Sequence, residues 1–342
     1  MKIRSKAPLR LGLAGGGTDV SPYSDEYGGC VLNATIDMYA YAFIDDEIEN
    51  LNTVIFEAKD LGIVETLNVD DDITLDGKLI LHRAVYKRVM TQFNGGKQIP
   101  LRLITQSDAP PGSGLGSSST MVVAMLEGFR QLLSLPLGEY DMAHLAYDIE
   151  RIDCSLSGGK QDQYAATFGG FNFIEFYLND RVVVNPLRIR KYIINELESS
   201  LILFFTGASR NSAKIIDDQI NSIKKDNNNL EAMHKVKKSS YRIKELLLRS
   251  DIIGVAEEFK KAWEYKKETS ESISNDMINN IEDAVISAGA ISMKVSGAGG
   301  GGFVMIFVEP EKKLDVIEVL NKYDGVVHKF QFTNEGAYSW TI

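Results

Sequence analysis

The stretch Pro110-Pro111-Gly112-Ser113-Gly114-Leu115-Gly116-Ser117-Ser118-Ser119-Thr120 sets glycines and hydroxyls directly ahead of an apolar run, Met121 to Leu126. The first turn of a helix leaves backbone N–H groups unpaired and carries partial positive charge. Glycine lets backbone close on a ligand with no Cβ in the way. A loop of this composition opening into a helix is an anion cradle, and a polyphosphate is its natural guest. Two more glycine clusters stand near the chain's ends: Ala14-Gly15-Gly16-Gly17-Thr18-Asp19, and Gly297 to Gly302 with four consecutive glycines. The second of these contains GxGxxG. A dinucleotide fingerprint opens a helix, however, and this loop precedes the strand-like Phe303 to Val308, so a Rossmann site is excluded. Walker A, GxxxxGK[ST], is absent. The histidines at 82, 144, 234 and 328 have no metal-ligand spacing, no Ser/His/Asp set suggests itself, and neither Cys30 nor Cys154 has a catalytic context.

The elements that must position these loops follow from periodicity. Residues 2–14 alternate basic and apolar side chains and predict a strand ending in the first glycine cluster. β-Branched and aromatic residues predict a strand over 31–44, with shorter strands near 54–57 and 62–67. A helix is expected over 79–93, a strand over 101–105, a helix over 121–133, and a second helix carrying Met142, Leu145, Ile149 and Ile152. Ser155 to Gln161 is expected as a polar loop before Asp162, and 168–176 as a strand. Composition shifts after about Arg190. A strand at 201–206 precedes charged amphipathic helices near 209–225, 229–249, 251–268 and 273–288, a strand at 303–308, a helix near 311–323 and a strand at 326–332. This order predicts an α+β fold with helices on one face of an antiparallel sheet.

Length and charge narrow the function classes. A chain of 342 residues makes one large or two ordinary domains. Its net charge of −10 argues against nucleic acid and anionic membrane as general partners, so an anionic substrate needs locally collected cations. Two cysteines build no disulfide framework, which suits a reducing compartment, and no window is apolar enough to span a membrane. A cytoplasmic location is expected.

The phosphate loop resembles motif 2 of the galactokinase, homoserine kinase, mevalonate kinase and phosphomevalonate kinase superfamily, PxxxGLGSSxx, standing here as Pro110 to Ser118. Pro8 to Asp19 resembles motif 1 and Lys294 to Gly302 resembles motif 3, in the family's order. The resemblance implies an N-terminal domain over 1–195 with a ribosomal-protein-S5-domain-2-like fold. It implies a ferredoxin-like C-terminal domain over 196–342, with the active site in the cleft between them. ATP and Mg²⁺ are the implied cofactors, and the nucleotide's phosphates fall to Pro111, Gly112, Ser113, Gly114, Leu115, Gly116, Ser117, Ser118 and Ser119. Ser118 and Glu150 match the family's metal-contacting hydroxyl and glutamate. Asp162 matches the aspartate that takes the acceptor's proton, and Arg10 the cation that pairs with it and offsets phosphoryl charge.

Within that family, Gly15-Gly16-Gly17-Thr18-Asp19 resembles the sugar 1-kinases acting on D-glycero-D-manno-heptose 7-phosphate, and less closely the L-fucose kinases. Galactokinases carry Gly-Glu-His-Thr-Asp here; this chain keeps Thr18-Asp19 without the Glu-His. The implied reaction phosphorylates the anomeric hydroxyl to give the 1,7-bisphosphate, feeding nucleotide-activated heptose. Substrate contacts are expected from Gly16, Gly17, Thr18, Asp19, Gly299 and Gly300. Lys160 and Arg210 are favoured for the substrate's own phosphate over Arg83, Lys87 and Arg88. The expected partners are a sugar phosphate and ATP, with a homodimer left open. The alternative of another class is a non-catalytic sugar- and nucleotide-sensing protein, against which Asp162, Arg10, Ser118 and Glu150 all speak.

Overall fold

The computed structural model describes residues 1–208 and 212–342. Among the described residues twelve strands run β1 (Lys2–Ala14), β2 (Gly29–Asp45), β3 (Thr53–Ala58), β4 (Ile63–Asn68), β5 (Leu101–Ser107), β6 (Phe171–Phe176), β7 (Val182–Pro186), β8 (Leu201–Phe205), β9 (Ala290–Val295), β10 (Phe303–Val308), β11 (Val326–His328) and β12 (Tyr338–Thr341). They build two sheets. The larger has the order β12-β1-β2-β5-β3-β4, with β6 and β7 extending from the other half of β2. The smaller is β11-β8-β10-β9, antiparallel throughout. The larger sheet is antiparallel except where β3 runs parallel to β5. The architecture is a two-domain α+β fold with a ferredoxin-like second sheet.

β1 shows why the two units meet where they do. Over its first half, exposed Lys2, Arg4 and half-buried Lys6 alternate with buried Ile3, Ser5 and Ala7, as a half-covered strand should. From Ala7 to Ala14 every residue is buried, because the second unit covers the other face. Leu9, Leu11 and Leu13 pack in one core with Leu203, Met305 and Phe259. The expected basic–apolar alternation over 2–14 therefore holds only to Ala7. Pro8 cannot donate to a ladder, and the register slips between Pro8 and Arg10. After this irregularity the Arg10 N–H leaves the ladder for the Leu115 carbonyl of the phosphate loop, at 3.2 Å.

A separate core gathers Val122, Leu126 and Phe129 of the helix Ser117–Leu132 with Ala40, Ala42 and Ile44 of β2 and Val85 and Val89 of the helix Ile80–Phe93. Several local expectations are revised. The helix behind the phosphate loop begins at Ser117, so Ser117 to Thr120 form its first turn instead of preceding it. The stretch expected as a loop and then a strand contains a helix, Gln161–Phe168. The helix carrying Met142 runs Glu139–Asp148 and ends in a π-helical turn, Ile149–Asp153. The strand expected over 326–332 stops at His328. Strands β7 and β12 and the helix Lys191–Ser200 were not anticipated. β12 pairs with β1, so the chain's end returns to the larger sheet. Among the described residues no helix is long and apolar enough to cross a membrane.

Candidate active site

A cavity between the two units is lined by the phosphate loop, Asp19 and the 157–162 segment. Arg10 sits at its base. Its guanidinium Nε donates to Asp162 Oδ1 at 2.7 Å, and Nη1 donates to the Gly114 carbonyl at 2.7 Å. Arg10 is 3% exposed, so this is a charge pair in a restricted dielectric, with most of the guanidinium's donors engaged. The irregularity after Pro8 turns Arg10 into the cleft, and the helix Gln161–Phe168 presents Asp162 from its first turn.

The third glycine loop braces the second. Phe303 N donates to Ser113 O at 2.8 Å, and Ser296 Oγ donates to Gly114 O at 2.9 Å. Asp19, 1% exposed, accepts from Gly17 N, Gln161 N and Gln161 Nε2, each at 3.1 Å. Ser118 Oγ donates to Glu150 Oε1 at 3.3 Å, and Gln163 Nε2 donates to Glu150 Oε2 at 2.5 Å. Glu150 is fully buried and meets the cavity through Ser118. A nucleotide-bound Mg²⁺ takes one or two protein ligands and completes its octahedron with water and phosphate oxygens. One hydroxyl beside one buried carboxylate is a donor set of that kind. Among the described residues no cluster of three or more His, Cys, Asp or Glu side chains offers a dedicated metal cage.

Of the residues expected at the site, Arg10, Gly17, Asp19, Gly112, Gly114, Gly116, Ser117, Ser118, Ser119 and Asp162 line this cavity. Pro111 instead lines an adjoining, mainly apolar pocket with Leu79, Ala109 and Met121, which shares Ser117 and Ser118 with the cavity. Ser113 and Leu115 are buried and serve the loop through their carbonyls. Thr18 is buried too; its hydroxyl lies 2.8 Å from Gly15 O and 2.9 Å from Cys30 O and accepts from Cys30 N, holding the turn together. Gly16 does not line this cavity but offers its carbonyl to Lys266, which does.

Gly299 and Gly300 do not line the cavity; Gly300 N donates to Ile273 O at 2.7 Å, and Gly297 and Ala298 take the lining position. Lys160 turns away to ion-pair with Asp180 over the Tyr147 ring, because that carboxylate is nearer than the cleft. Arg83, Lys87 and Arg88 pair with Glu65, Asp72 and Asp153. Arg210 lies outside the described residues.

Sequence reasoning missed Gln161, Gln163, Arg151, Gln219 and two lysines. Lys266 lines the cavity and donates to Gly16 O at 2.8 Å and Gln219 Oε1 at 3.2 Å. Lys294 donates to Gly12 O at 2.8 Å and Leu13 O at 3.0 Å, joining the first and third glycine motifs. Its position inside motif 3 was a signal that went unused. Burial above all, then the charges of Lys266 and Arg10, lowers the Lys294 ammonium to about 7.

A folded-state value depressed below the unfolded one means the unfolded chain binds more protons between pH 7 and the usual lysine range. Stability gained from this group therefore rises with pH across that window, by up to roughly 1 kcal/mol per pH unit. Denaturant unfolding of wild type and Lys294→Met at pH 7 and pH 9 should show the gain only in wild type. Equal pH dependence in the two proteins would refute it.

Comparison with known proteins accounts for the assembly. The model of the GHMP kinases N terminal domain matches residues 80–170, and that of GHMP kinases C terminal matches 243–324. D-glycero-alpha-D-manno-heptose 7-phosphate kinase of Campylobacter jejuni is 46% identical over 340 residues, 99% of each chain. A solved D-glycero-D-manno-heptose 1-phosphate kinase from Bacteroides thetaiotaomicron superposes with a TM-score of 0.84 at 44% identity, over 99% of each chain. The bifunctional fucokinase/GDP-fucose pyrophosphorylase of Arabidopsis thaliana is 26% identical, over 91% of this chain and 30% of its own length.

The fold and these likenesses define a phosphotransferase. The chain belongs to the GHMP kinase family, and within it stands close to sugar kinases named for heptose phosphates.

Proposed function

We propose that the protein transfers the γ-phosphoryl group of ATP to the anomeric hydroxyl of D-glycero-D-manno-heptose 7-phosphate, giving the 1,7-bisphosphate and ADP. The observation that carries the chemistry is Arg10, which binds both Asp162 and the Gly114 carbonyl. One buried cation thereby ties the proton acceptor to the loop that receives the phosphates. The heptose assignment is supported by 46% identity over nearly the whole Campylobacter jejuni kinase and by the Gly15 to Asp19 turn.

In this reading the anomeric oxygen attacks the γ-phosphorus as the bond to the β-phosphate oxygen breaks. Its proton passes to Asp162, and Arg10 offsets the charge that spreads over the transferred group. The first-turn amides after Gly116 would hold the polyphosphate, and the apolar pocket at Leu79, Ala109, Pro111 and Met121 would take the nucleoside. Mg²⁺ held by Ser118 and Glu150 would neutralise phosphate oxygens. Asp19 would accept from sugar hydroxyls while Gln161 fixes its orientation.

A phosphorus NMR screen of the purified protein with MgATP against free and phosphorylated sugars tests the assignment. A new anomeric phosphate should form only with the 7-phosphorylated heptose. Turnover of free L-fucose would transfer the assignment to a fucose 1-kinase, and nucleotide binding with no turnover of any sugar would favour a sensor.

A further inference from the structure

Beyond Arg10, a second guanidinium reaches the cavity, from an element that also carries a proposed metal ligand. Glu150 and Arg151 are neighbours in the π-helical turn Ile149–Asp153. Such turns are uncommon and recur at functional sites, because the wider winding re-aims consecutive side chains. Here Glu150 meets Ser118, while Arg151 lines the cavity together with Ser157, Gly158 and Gly159.

The Arg151 side chain is 13% exposed, yet its hydrogen bonding is poor for a group with five N–H donors. Nη1 and Nη2 donate to the Leu156 and Gly159 carbonyls at 3.4 and 3.3 Å, beyond the usual range for a guanidinium. Nε is buried and has no partner among the described residues. Glu150 Oε1 is 3.8 Å from Nη1. The cations that only brace the surface behave otherwise: Arg83 and Arg88 each lie directly against a carboxylate. The loop has also been shaped around this side chain, since a Cβ on Gly158 would fall 2.4 Å from the guanidinium carbon. An under-satisfied, held guanidinium that lines one cavity with a phosphate loop is complementary to anionic phosphoryl oxygens.

We propose that Arg151 contacts the transferred phosphoryl group and is a second catalytic cation of the reaction, an inference that rests on the kinase reading of the site. Arg10 and Arg151 then flank the group, and each stabilises charge on its oxygens as it passes from the β-phosphate oxygen to the acceptor oxygen.

Steady-state and binding measurements on R151M test this. The kcat should fall about 100-fold, as for loss of one donor to transition-state charge. The ADP dissociation constant, which involves no γ-phosphoryl group, should stay within about two-fold, and the melting temperature should hold. R151K should recover part of the kcat, and added guanidinium ion at non-denaturing concentration should partly rescue R151A. If Arg151 only clamps the 155–160 loop, the variants lose thermal stability or raise the acceptor KM with kcat unchanged, and the proposal falls. An R151M kcat within about three-fold of wild type also overturns it. Failure of the wild-type chain to turn over any acceptor overturns the kinase reading itself, and this inference with it.

Discussion

Asp162→Asn is expected to lower kcat by about a thousand-fold, the middle of the range for loss of a general base. The substitution keeps the shape of the side chain, and the amide oxygen can still accept from Arg10, whose Nε lies 2.7 Å from Oδ1 in the native protein. The amide cannot take up the acceptor's proton, so the loss should fall on the chemical step. Nucleotide affinity should be nearly unchanged, because the amide keeps the side chain's shape against the phosphate loop, where a Cβ on Gly116 would fall 2.9 Å from Asp162 Cγ. Single-turnover kinetics alongside calorimetric titration of ATP separates the two quantities. Turnover near the wild-type rate would sink the general-base role, and loss of nucleotide binding would make Asp162 a structural support of the loop.

Gly15→Ala should destabilise the protein by about 3 kcal/mol, adding left-handed strain to steric overlap. Gly15 has φ of 77°, and a Cβ there would lie 2.0 Å from the Cys30 carbonyl oxygen in β2. Backbone must move, and the movement reaches the site. Gly15 O accepts from Thr18 N at 3.0 Å and lies 2.8 Å from the Thr18 hydroxyl, and that turn leads to Asp19. A fall in melting temperature together with a raised acceptor KM is the expected pair of results. Net stability is usually about 5–15 kcal/mol, so the fall should be plain in a thermal scan. An unchanged melting temperature would mean that β2 yields more easily than a paired interior strand should.

Much of the cleft was legible because its parts are local. A glycine-and-hydroxyl run ahead of an apolar stretch specifies a helix N-terminus within a few residues, and the helix Ser117–Leu132 starts there. The three motifs likewise pointed to the family that the family models and near-full-length relatives establish. Side chains whose partners lie far along the chain were not legible. Lys160 stands two residues from Asp162, which suggested the cleft, yet Asp180 in the turn between β6 and β7 captures it. Thr18 looked free to meet a ligand until the Cys30 backbone closed on its hydroxyl. Lys266 read as one more charge on an amphipathic helix. Its contact with Gly16 spans 250 residues of sequence, and no pattern within the helix Ile252–Lys267 announces it.

By itself the sequence determined the α+β class, the order of most elements, the family and the three glycine loops. Each of these is written in short-range periodicity, turn chemistry or contiguous motif residues. Only the tertiary structure decided which charges face the cleft. A surface lysine or arginine adopts whichever carboxylate or carbonyl folding brings nearest, and that choice depends on elements tens to hundreds of residues away. Folding gave Arg10 to Asp162 and Lys294 to the Gly12 and Leu13 carbonyls, and left Arg151 against the cavity with its Nε unpartnered among the described residues.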